Sequence, residues 1–290
     1  MDAINVLYEP DSLRDALLYM AGNPGTIPLA GGTDVLVKLR KNRPEGVTLM
    51  SLNKLEALRG IAVRGDGAVE IGPLTTFTDL TESPVIASRC PALATAASVM
   101  GGPQIRNAAT IGGNICNGAV SADSAPSLFA FEAELLLRSE GQERLVSIED
   151  FYLGPGKVDR KDDELLTAII LPPHKARTGS AYIKFATRQA MDLAVLGVAA
   201  CCTADDDKAL EKVTIALGVA GPTPLRCRQA EAFLEGRLPD DAAYVKAGEL
   251  ALKDASPRDS WRASKRYREA LIRELTGRAV REAYELACRS

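Results

Sequence analysis

The first candidate binding segment is a glycine pair at the junction of a predicted strand and a predicted helix. It reads Pro28-Leu29-Ala30-Gly31-Gly32-Thr33-Asp34-Val35. Glycines let the backbone approach a ligand because no Cβ stands in the way. The free N–H groups and the dipole of a helix N-terminus favour an anion, and Thr33 adds a hydroxyl donor. The segment predicts a site for a phosphate-bearing ligand, with an ordinary strand–helix turn as the alternative.

The second candidate segment carries two more glycine pairs joined by a polar stretch. It reads Gly101-Gly102-Pro103-Gln104-Ile105-Arg106-Asn107-Ala108-Ala109-Thr110-Ile111-Gly112-Gly113-Asn114-Ile115 and continues through Cys116-Asn117-Gly118 to Ser121-Ala122-Asp123-Ser124-Ala125-Pro126. We predict an irregular loop, neither strand nor helix, because glycines and asparagines interrupt both periodicities. A polar, glycine-rich loop between apolar elements is typical of a ligand clamp. The alternative is a buried loop held by its own asparagine side chains.

The sequence contains no recognisable motif for acid–base, nucleophilic or metal chemistry. It has no G-x-G-x-x-G, no Walker loop and no G-x-S-x-G, and we interpret Gly154-Pro155-Gly156-Lys157 as a turn. The single histidine, His174, is expected on the surface, and the six cysteines form no C-x-x-C pair. No zinc or iron–sulfur ligand set follows from such spacing. We therefore predict a cofactor holder and assign no catalytic residue.

Composition excludes several classes of partner. The 290 residues include 35 basic and 38 acidic side chains, for a net charge of −3. Such a balance gives neither a nucleic-acid footprint nor a polybasic membrane anchor. No apolar run approaches the roughly 20 residues of a transmembrane helix. The N-terminal sequence does not resemble a signal peptide, so the protein is expected to be soluble and cytoplasmic.

Hydrophobic patterning supplies the elements that must position both segments. Helical spacing predicts a helix over Asp11–Ala21, and a strand over Thr26–Ala30 leads through the first glycine pair into a helix over Asp34–Leu39. Further predicted strands and helices cover Thr48–Leu52, a hairpin over Arg59–Ile71, Phe77–Leu80, Ala92–Val99, Glu132–Arg138, Arg144–Ile148 and Leu165–Leu171. Pro172-Pro173-His174 interrupts the pattern, so we place a domain boundary near residue 176.

The hydrophobic pattern of the residues after this boundary predicts a separate α+β domain. Leu193–Thr203 and Val213–Ala220 predict buried strands, and three helical stretches follow. The last helix is predicted from about Ser260 to Ala287, with one apolar face formed by Tyr267, Leu271, Leu275, Ala279, Ala283 and Leu286. A basic cluster surrounds the lone Trp261 and comprises Arg258, Arg262, Lys265, Arg266 and Arg268. It is either a solvated helix start or a docking surface.

At these residues the chain resembles a known family, the FAD subunits of molybdenum hydroxylases, closest to the bacterial xanthine dehydrogenase FAD-binding subunit. The two glycine segments carry the resemblance, together with Ala190-Met191-Asp192, Ala220-Gly221-Pro222-Thr223-Pro224-Leu225-Arg226-Cys227 and Ser260-Trp261-Arg262-Ala263-Ser264-Lys265. It implies an α+β fold. A two-lobed FAD-binding domain of the vanillyl-alcohol-oxidase (PCMH) type would occupy residues 1–176, with lobes of about 1–58 and 59–176. A C-terminal domain of the CO-dehydrogenase flavoprotein type would occupy residues 177–290.

The resemblance also implies which residues bind the cofactor. The segment around the FAD diphosphate is Pro28, Leu29, Ala30, Gly31, Gly32, Thr33, Asp34 and Val35. The segment on the phosphates and ribityl chain is Thr110, Ile111, Gly112, Gly113 and Asn114. Asp123 would bind sugar-side polar groups, and Leu166 and Lys184 complete the set. The loop Thr187–Asp192 would govern nicotinamide access.

Partners and mechanism follow from the same resemblance. A molybdopterin-binding large subunit would oxidise a purine, and an iron–sulfur small subunit would carry single electrons to the FAD, which would reduce NAD. One alternative is the same subunit in a complex that oxidises another N-heterocycle, such as nicotinate. A self-sufficient flavin oxidase is a second, although neither a substrate lid nor a base near the flavin is evident. A non-redox scaffold that binds FAD or another nucleotide is the third.

Overall fold

The structure is a computed structural model that describes residues 4–42 and 44–289. The predicted limits at Met1 and Ser290 lie outside the described residues. The chain begins with a small lobe built on a three-stranded parallel sheet in the order β1-β3-β2. Its strands are β1 (Ile4–Tyr8), β2 (Ile27–Leu29) and β3 (Val47–Ser51), and its helices are α1 (Leu13–Gly22) and α2 (Val35–Asn42). Parallel strands need crossover connections, which the two helices supply.

Helix α1 shows why this lobe folds as the sequence predicts. The Ser12 hydroxyl accepts a hydrogen bond from the backbone N–H of Asp15 at 3.1 Å, which satisfies one free donor of the first turn. Ala16, Leu17 and Met20 are buried on the face that packs on the sheet. The predicted βα junction is also confirmed, because β2 is followed by the glycine pair and then by α2.

The second lobe is built on a five-stranded sheet in the order β4-β5-β10-β6-β7, and all of its strand pairs are antiparallel. Its strands are β4 (Ile61–Val63), β5 (Val69–Ile71), β6 (Glu134–Ser139), β7 (Gln142–Ser147) and β10 (Leu165–Leu171). Every residue of the central strand β10 is buried. The short hairpin β8 (Tyr152–Gly154) and β9 (Lys157–Val158) lies between β7 and β10, and its turn confirms the predicted role of Gly154-Pro155-Gly156-Lys157.

Seven short helices complete this lobe. They are α3 (Phe77–Glu82), α4 (Pro84–Arg89), α5 (Pro91–Ser98), α6 (Pro103–Arg106), α7 (Ile111–Cys116), α8 (Ser124–Ala130) and α9 (Ile148–Phe151). The prediction that the second glycine-rich segment is neither strand nor helix is wrong, because it contains α6 and α7. Pro103 at the first position preorganises α6. The Thr110 hydroxyl caps α7 by accepting from the N–H of Gly113 at 3.1 Å.

The C-terminal part packs a four-stranded antiparallel sheet against helices. Its elements are β11 (Thr178–Phe185), β12 (Leu196–Ala204), β13 (Leu210–Gly218), β14 (Leu225–Arg226), α10 (Arg228–Leu234), α11 (Asp241–Asp254) and α12 (Lys265–Ala287). Helix α12 begins later than predicted, because Ser264 caps it by accepting from the N–H of Tyr267. Leu275, Ala279 and Ala283 of its predicted apolar face are buried. Tyr267, however, is 47% exposed, and Arg268 and Ile272 are buried near that end of the helix.

One apolar cluster is shared by the second lobe and the C-terminal part. Tyr182, Ala199, Cys201 and Ala216 of the C-terminal sheet belong to the apolar cluster of the second lobe. The Ser180 hydroxyl accepts a hydrogen bond from the N–H of Ala92 at 3.1 Å across this contact. The domain boundary near 176 falls between β10 and β11, and the lobe boundary near 58 falls between β3 and β4. Both boundaries stay predictions.

Candidate functional site

A cleft of about 730 Å³ lies where the two glycine segments meet. Ligand sites in proteins typically have volumes of 300–1,000 Å³. The predicted residues that line it are Pro28, Ala30, Gly31, Gly32, Thr33, Asp34, Val35, Thr110, Gly112, Gly113, Asn114, Asp123 and Leu166. Leu29, Ile111 and Lys184 lie behind its walls: Leu29 pairs with Ser51 in the sheet, and Ile111 is fully buried in the core. The structure thus brings together segments that are far apart in the sequence.

The first glycine of each pair lies against protein backbone. A Cβ on Gly31 would stand 1.7 Å from the carbonyl oxygen of Ala108, which belongs to the other lobe. A Cβ on Gly112 would stand 2.7 Å from the carbonyl oxygen of Pro73. No real side chain tolerates such distances, so these two glycines allow the backbones around the cleft to pack closely.

The second glycines, Gly32 and Gly113, line the cleft, and a Cβ added to either would meet side-chain atoms and no backbone. A Cβ on Gly113 would meet only the Thr110 hydroxyl oxygen at 3.0 Å and the Ala30 Cβ at 3.9 Å. Gly32 has a φ of +73°, a left-handed conformation that glycine adopts without strain, and its nearest neighbour would be the flexible Leu36 side chain at 3.0 Å. These two positions therefore leave room for a ligand at the point where the lobes face each other.

Hydrogen-bond donors are available at the same place. Thr33 has no hydrogen-bond partner within the described residues, so both its N–H and its hydroxyl remain free. Asn114 accepts a hydrogen bond from the Ser124 hydroxyl at 2.7 Å through its carbonyl oxygen, which leaves its amide nitrogen as a donor. Free donors beside helix starts suit a phosphate or a sugar hydroxyl.

A buried ion pair supports the floor of the cleft. The Lys184 ammonium donates to the Asp123 carboxylate at 2.9 Å and to the Val99 carbonyl at 3.1 Å, and the Tyr182 hydroxyl donates to the same carboxylate at 3.1 Å. Burial raises the pKa of Asp123, whereas the charge of Lys184 and the hydrogen bonds from Lys184 and Tyr182 lower it. Asp123 lines the cleft and Lys184 stands behind it. Lys184 accordingly acts on the site through Asp123.

Sequence reasoning assigned no role to two charged residues of the cleft wall, Lys38 and Arg160. The Lys38 ammonium donates to the Asn117 side-chain carbonyl and so bridges the two lobes. The Arg160 guanidinium lines the cleft and donates to the carbonyls of Lys161 and Glu164, both at 2.8 Å. Lys38 could have been found, because it lies one helical turn after Asp34 and shares its face. Arg160 carried no such signal, since it follows a two-stranded hairpin.

The loop Thr187–Asp192 closes one side of the cleft, where Met191, Asp192 and Leu193 line it. The Asp192 carboxylate holds the loop by accepting the backbone N–H groups of Thr187, Arg188 and Leu193. Met191 has a φ of +54°, and its N–H donates to the Gly101 carbonyl at 3.2 Å. The C-terminal part therefore contributes directly to the site.

Two kinds of site are absent from residues 4–42 and 44–289. No group of three or more His, Cys, Asp or Glu side chains is placed to hold a metal ion. No helix there has the length and apolar character needed to cross a membrane.

Comparison with known proteins places this architecture in a family. Residues 2–174 match the model of the FAD binding domain in molybdopterin dehydrogenase, and residues 181–283 match that of the CO dehydrogenase flavoprotein C-terminal domain. The chain is 43% identical, over 277 residues, to the putative xanthine dehydrogenase FAD-binding subunit of Escherichia coli, covering 95% of this chain and 94% of the relative. It is 32% identical to the nicotinate dehydrogenase FAD-subunit of Eubacterium barkeri over 234 residues, or 79% of each chain.

A solved structure agrees with the fold. Carbon monoxide dehydrogenase from Hydrogenophaga pseudoflava superimposes with a TM-score of 0.93 at 29% identity, and the match covers 99% of both chains. The resemblance inferred from the motifs, the two-part α+β fold and FAD as the cofactor are thereby confirmed. The individual cofactor-binding residues stay predictions, and the cleft shows only where they lie.

Proposed function

Because the chain belongs to the family of FAD-binding subunits of molybdopterin dehydrogenases, we propose that it is the electron-transfer subunit of a xanthine dehydrogenase-type molybdenum hydroxylase. In this proposal it passes electrons from the iron–sulfur clusters of a partner, through FAD, to NAD. The observation that carries the proposal is the cleft between the two glycine segments, where Gly32 and Gly113 leave space and Thr33 offers free donors.

These residues fit FAD, a long cofactor with a diphosphate at its centre. The backbone N–H groups from Gly32 to Val35, before and at the start of α2, suit the diphosphate, and the capped start of α7 approaches it from the other lobe. Asp123 and Asn114 suit hydroxyls on the sugar side of FAD. The Asp123 carboxylate accepts hydrogen bonds, and the Asn114 side chain both accepts and donates them. When bound, FAD takes electrons singly and passes them on in pairs, which joins iron–sulfur carriers to nicotinamide.

The chain itself needs no general acid or base for this role. Its residues position the cofactor, and the Asp192-held loop limits access from one side. In the proposal, Thr187–Asp192 borders the opening through which the nicotinamide ring reaches the flavin.

The relatives support partners for the chain. The relative from Escherichia coli is itself a subunit, and the family description refers to molybdopterin. We therefore propose a molybdopterin-binding large subunit and an iron–sulfur small subunit as its partners. The identity of 43% to the xanthine dehydrogenase relative, against 32% to the nicotinate dehydrogenase relative, favours a purine as the substrate of the whole complex.

Reduction of the flavin by the two candidate substrates tests the proposal. The purified chain should be yellow and should release free FAD on denaturation, because its only histidine, His174, lies outside the cleft. Under anaerobic conditions NADH should bleach the flavin absorbance of the FAD-loaded chain, whereas xanthine should leave it oxidised. The complete complex, in contrast, should be reduced by xanthine.

Each part of the proposal has its own contradicting result. A colourless chain that takes up no added FAD would support the scaffold alternative. Bleaching of the isolated chain by xanthine would show that the proposed division of labour is wrong. A fully loaded chain that NADH does not reduce, alone or in the complex, would mean that the electron acceptor is not NAD.

A further inference from the structure

A second cavity, of about 320 Å³, lies beside the cofactor cleft. Three arginines, Arg258, Arg262 and Arg268, line it and define what we call the arginine pocket. Trp261 also lines the pocket and is 84% exposed. The segment containing Arg258 to Arg262 precedes α12, and Arg268 lies in the first turn of that helix. The pocket therefore sits where the basic cluster was noted in the sequence.

Arg268 forms the floor of the arginine pocket. It is only 3% exposed, so placing it on a solvated or docking surface is wrong. Its guanidinium donates to the carbonyls of Val195 and Val219 at 2.7 and 3.3 Å and to the Ser260 hydroxyl at 2.8 Å. Its Nε is buried and has no hydrogen-bond partner. A buried charge with an unused donor is costly, which makes an anion a favourable neighbour.

The other two arginines add to the uncompensated charge. The Nε of Arg262 is also buried without a partner, and its guanidinium carbon lies 4.1 Å from the centre of the Trp261 ring. Burial lowers the pKa of Arg268, and the charges of Arg258 and Arg262 lower it further. Asp259 is near, but its carboxylate accepts the backbone N–H of Lys265 at 2.7 Å. Within the described residues none of the three arginines forms an ion pair with a carboxylate.

The arginine pocket adjoins the cofactor cleft. Ser121 and Leu193 line both cavities, and Leu193 directly follows Asp192 of the access loop. A ligand that occupied both cavities would run along Ser121 and Leu193. Such a ligand must be elongated and must carry its negative charge at a distance from its reactive ring.

We propose that the arginine pocket binds a phosphate group of the nicotinamide dinucleotide that exchanges electrons with the flavin. The inference rests on the proposed function and names residues that set the affinity for the acceptor. Arginine guanidiniums bind phosphate through paired, charge-assisted hydrogen bonds. The exposed ring of Trp261 offers a face on which an adenine stacks. The phosphate is either the diphosphate of every nicotinamide dinucleotide or the 2′-phosphate of NADP.

Binding of inorganic pyrophosphate to the FAD-saturated full-length chain provides the first test. Trp261 is the only tryptophan in the chain, so its fluorescence reports on this pocket alone. Pyrophosphate should change the emission saturably. The double variant Arg258→Gln and Arg262→Gln should weaken this binding by about tenfold or more, since it removes two guanidinium groups that form charge-assisted hydrogen bonds with phosphate. Arg266→Gln is the matched control, because Arg266 is exposed in the same cluster but does not line the pocket.

Kinetics with NADH and NADPH then identify the phosphate. The double variant should raise the KM for flavin reduction about tenfold with kcat unchanged, because both arginines contact the dinucleotide away from the reacting ring. Equal increases for NADH and NADPH assign the pocket to the diphosphate. An increase confined to NADPH assigns it to the 2′-phosphate. Both results support the proposal.

Other outcomes would overturn it. If pyrophosphate did not bind saturably, or if the double variant bound it as tightly as the parent chain, the pocket would not be an anion site. An unchanged KM for both dinucleotides in a chain that they still reduce would separate the pocket from the acceptor while leaving the proposed function intact. Loss of co-purifying subunits in the double variant, with unchanged pyrophosphate affinity, would assign this surface to a protein partner. If neither NADH nor NADPH reduces the bound flavin, then NAD is not the electron acceptor. The assignment of the pocket to a dinucleotide phosphate is then also wrong, even if the pocket binds pyrophosphate.

Discussion

The pairs Gly31-Gly32 and Gly112-Gly113 look alike in the sequence, but the two glycines of each pair have different surroundings. Gly31 and Gly112 pack against carbonyl oxygens of Ala108 and Pro73, whereas Gly32 and Gly113 line the cleft and have only side-chain atoms beside them. One member of each pair thus permits close packing of the protein, and the other leaves room for the cofactor. A glycine motif can therefore combine folding and binding requirements at adjacent positions.

The largest effect is expected at the packing positions. Gly31→Ala would place a Cβ 1.7 Å from the Ala108 carbonyl oxygen, and Gly112→Ala would place one 2.7 Å from that of Pro73. Backbone atoms must then move, so we expect a loss of about 3 kcal/mol in unfolding free energy, or roughly 10 °C in the apo-protein's Tm. Urea unfolding and calorimetry of FAD-free protein measure this. If both variants were as stable as the parent chain, the first glycine of each pair would not be required for close packing.

The cleft position Gly113 should give the opposite result. Gly113→Val adds a branched side chain to the space that faces Ala30, so it should abolish FAD loading while the apo-protein loses less than about 1 kcal/mol, as expected away from close packing. The ratio of flavin to protein absorbance, measured beside the urea midpoint, separates the two effects. Full FAD occupancy in this variant would contradict the assignment of Gly113 to the cofactor.

Gly32 is a less clean test than Gly113. Its φ of +73° means that any other residue strains the backbone, and a β-branched one most of all. Gly32→Val should therefore lose both FAD and some stability. Gly32→Ala, compared with Gly113→Ala, isolates the backbone contribution, which should be about 1–2 kcal/mol larger at position 32.

A smaller effect is expected behind the cleft, where Lys184 supports Asp123. Lys184→Met removes the cation and leaves a buried carboxyl group that can still take up a proton. We expect a loss of about 2 kcal/mol at neutral pH, together with weaker FAD binding. Burial already raises the pKa of Asp123, and loss of Lys184 raises it further. An acid with a raised pKa in the folded state binds protons more tightly than in the unfolded chain, so stability falls as pH rises through that pKa.

The pH profile distinguishes this explanation from simple loss of packing. The stability difference between Lys184→Met and the parent chain should shrink as the pH is lowered, because Asp123 then becomes neutral in the variant. Urea unfolding at a series of pH values provides the measurement. Lys41→Met, at an exposed lysine outside the cleft, is a suitable control. A stability difference that does not change with pH would mean that Lys184 stabilises the fold only by packing and not by its charge.

The order of elements and the cleft segments could be predicted from the sequence because local signals carry them. Ser12 and its apolar stripe predict α1, and the glycines predict the close approach of the backbone. The helical state of Ile111–Cys116 could not be predicted, since Gly112 and Gly113 disfavour a helix and only the Thr110 cap and the packing on Pro73 fix it. Tertiary contacts here override local propensity.

The burial of individual charged residues could not be predicted from the sequence either. Arg268 resembles its basic neighbours in the sequence, yet it is buried where β12 begins and β13 ends, and it donates to the Val195 and Val219 carbonyls there. The position of Lys184 behind Asp123 also depends on the packing of β11 against α5, which no local pattern records. Contacts between distant segments thus decide which charges face the cleft and which support it.

The core shared by the second lobe and the C-terminal sheet has a consequence for cooperativity. Tyr182, Ala199, Cys201 and Ala216 fill the same apolar cluster as Phe77, and the Thr214 hydroxyl donates to the Ala130 carbonyl across the junction. Cutting the chain near residue 176 would expose that cluster to water and remove the loop that borders the cleft. The second lobe and the C-terminal part should therefore melt in a single transition, and neither should behave as an autonomous folding unit.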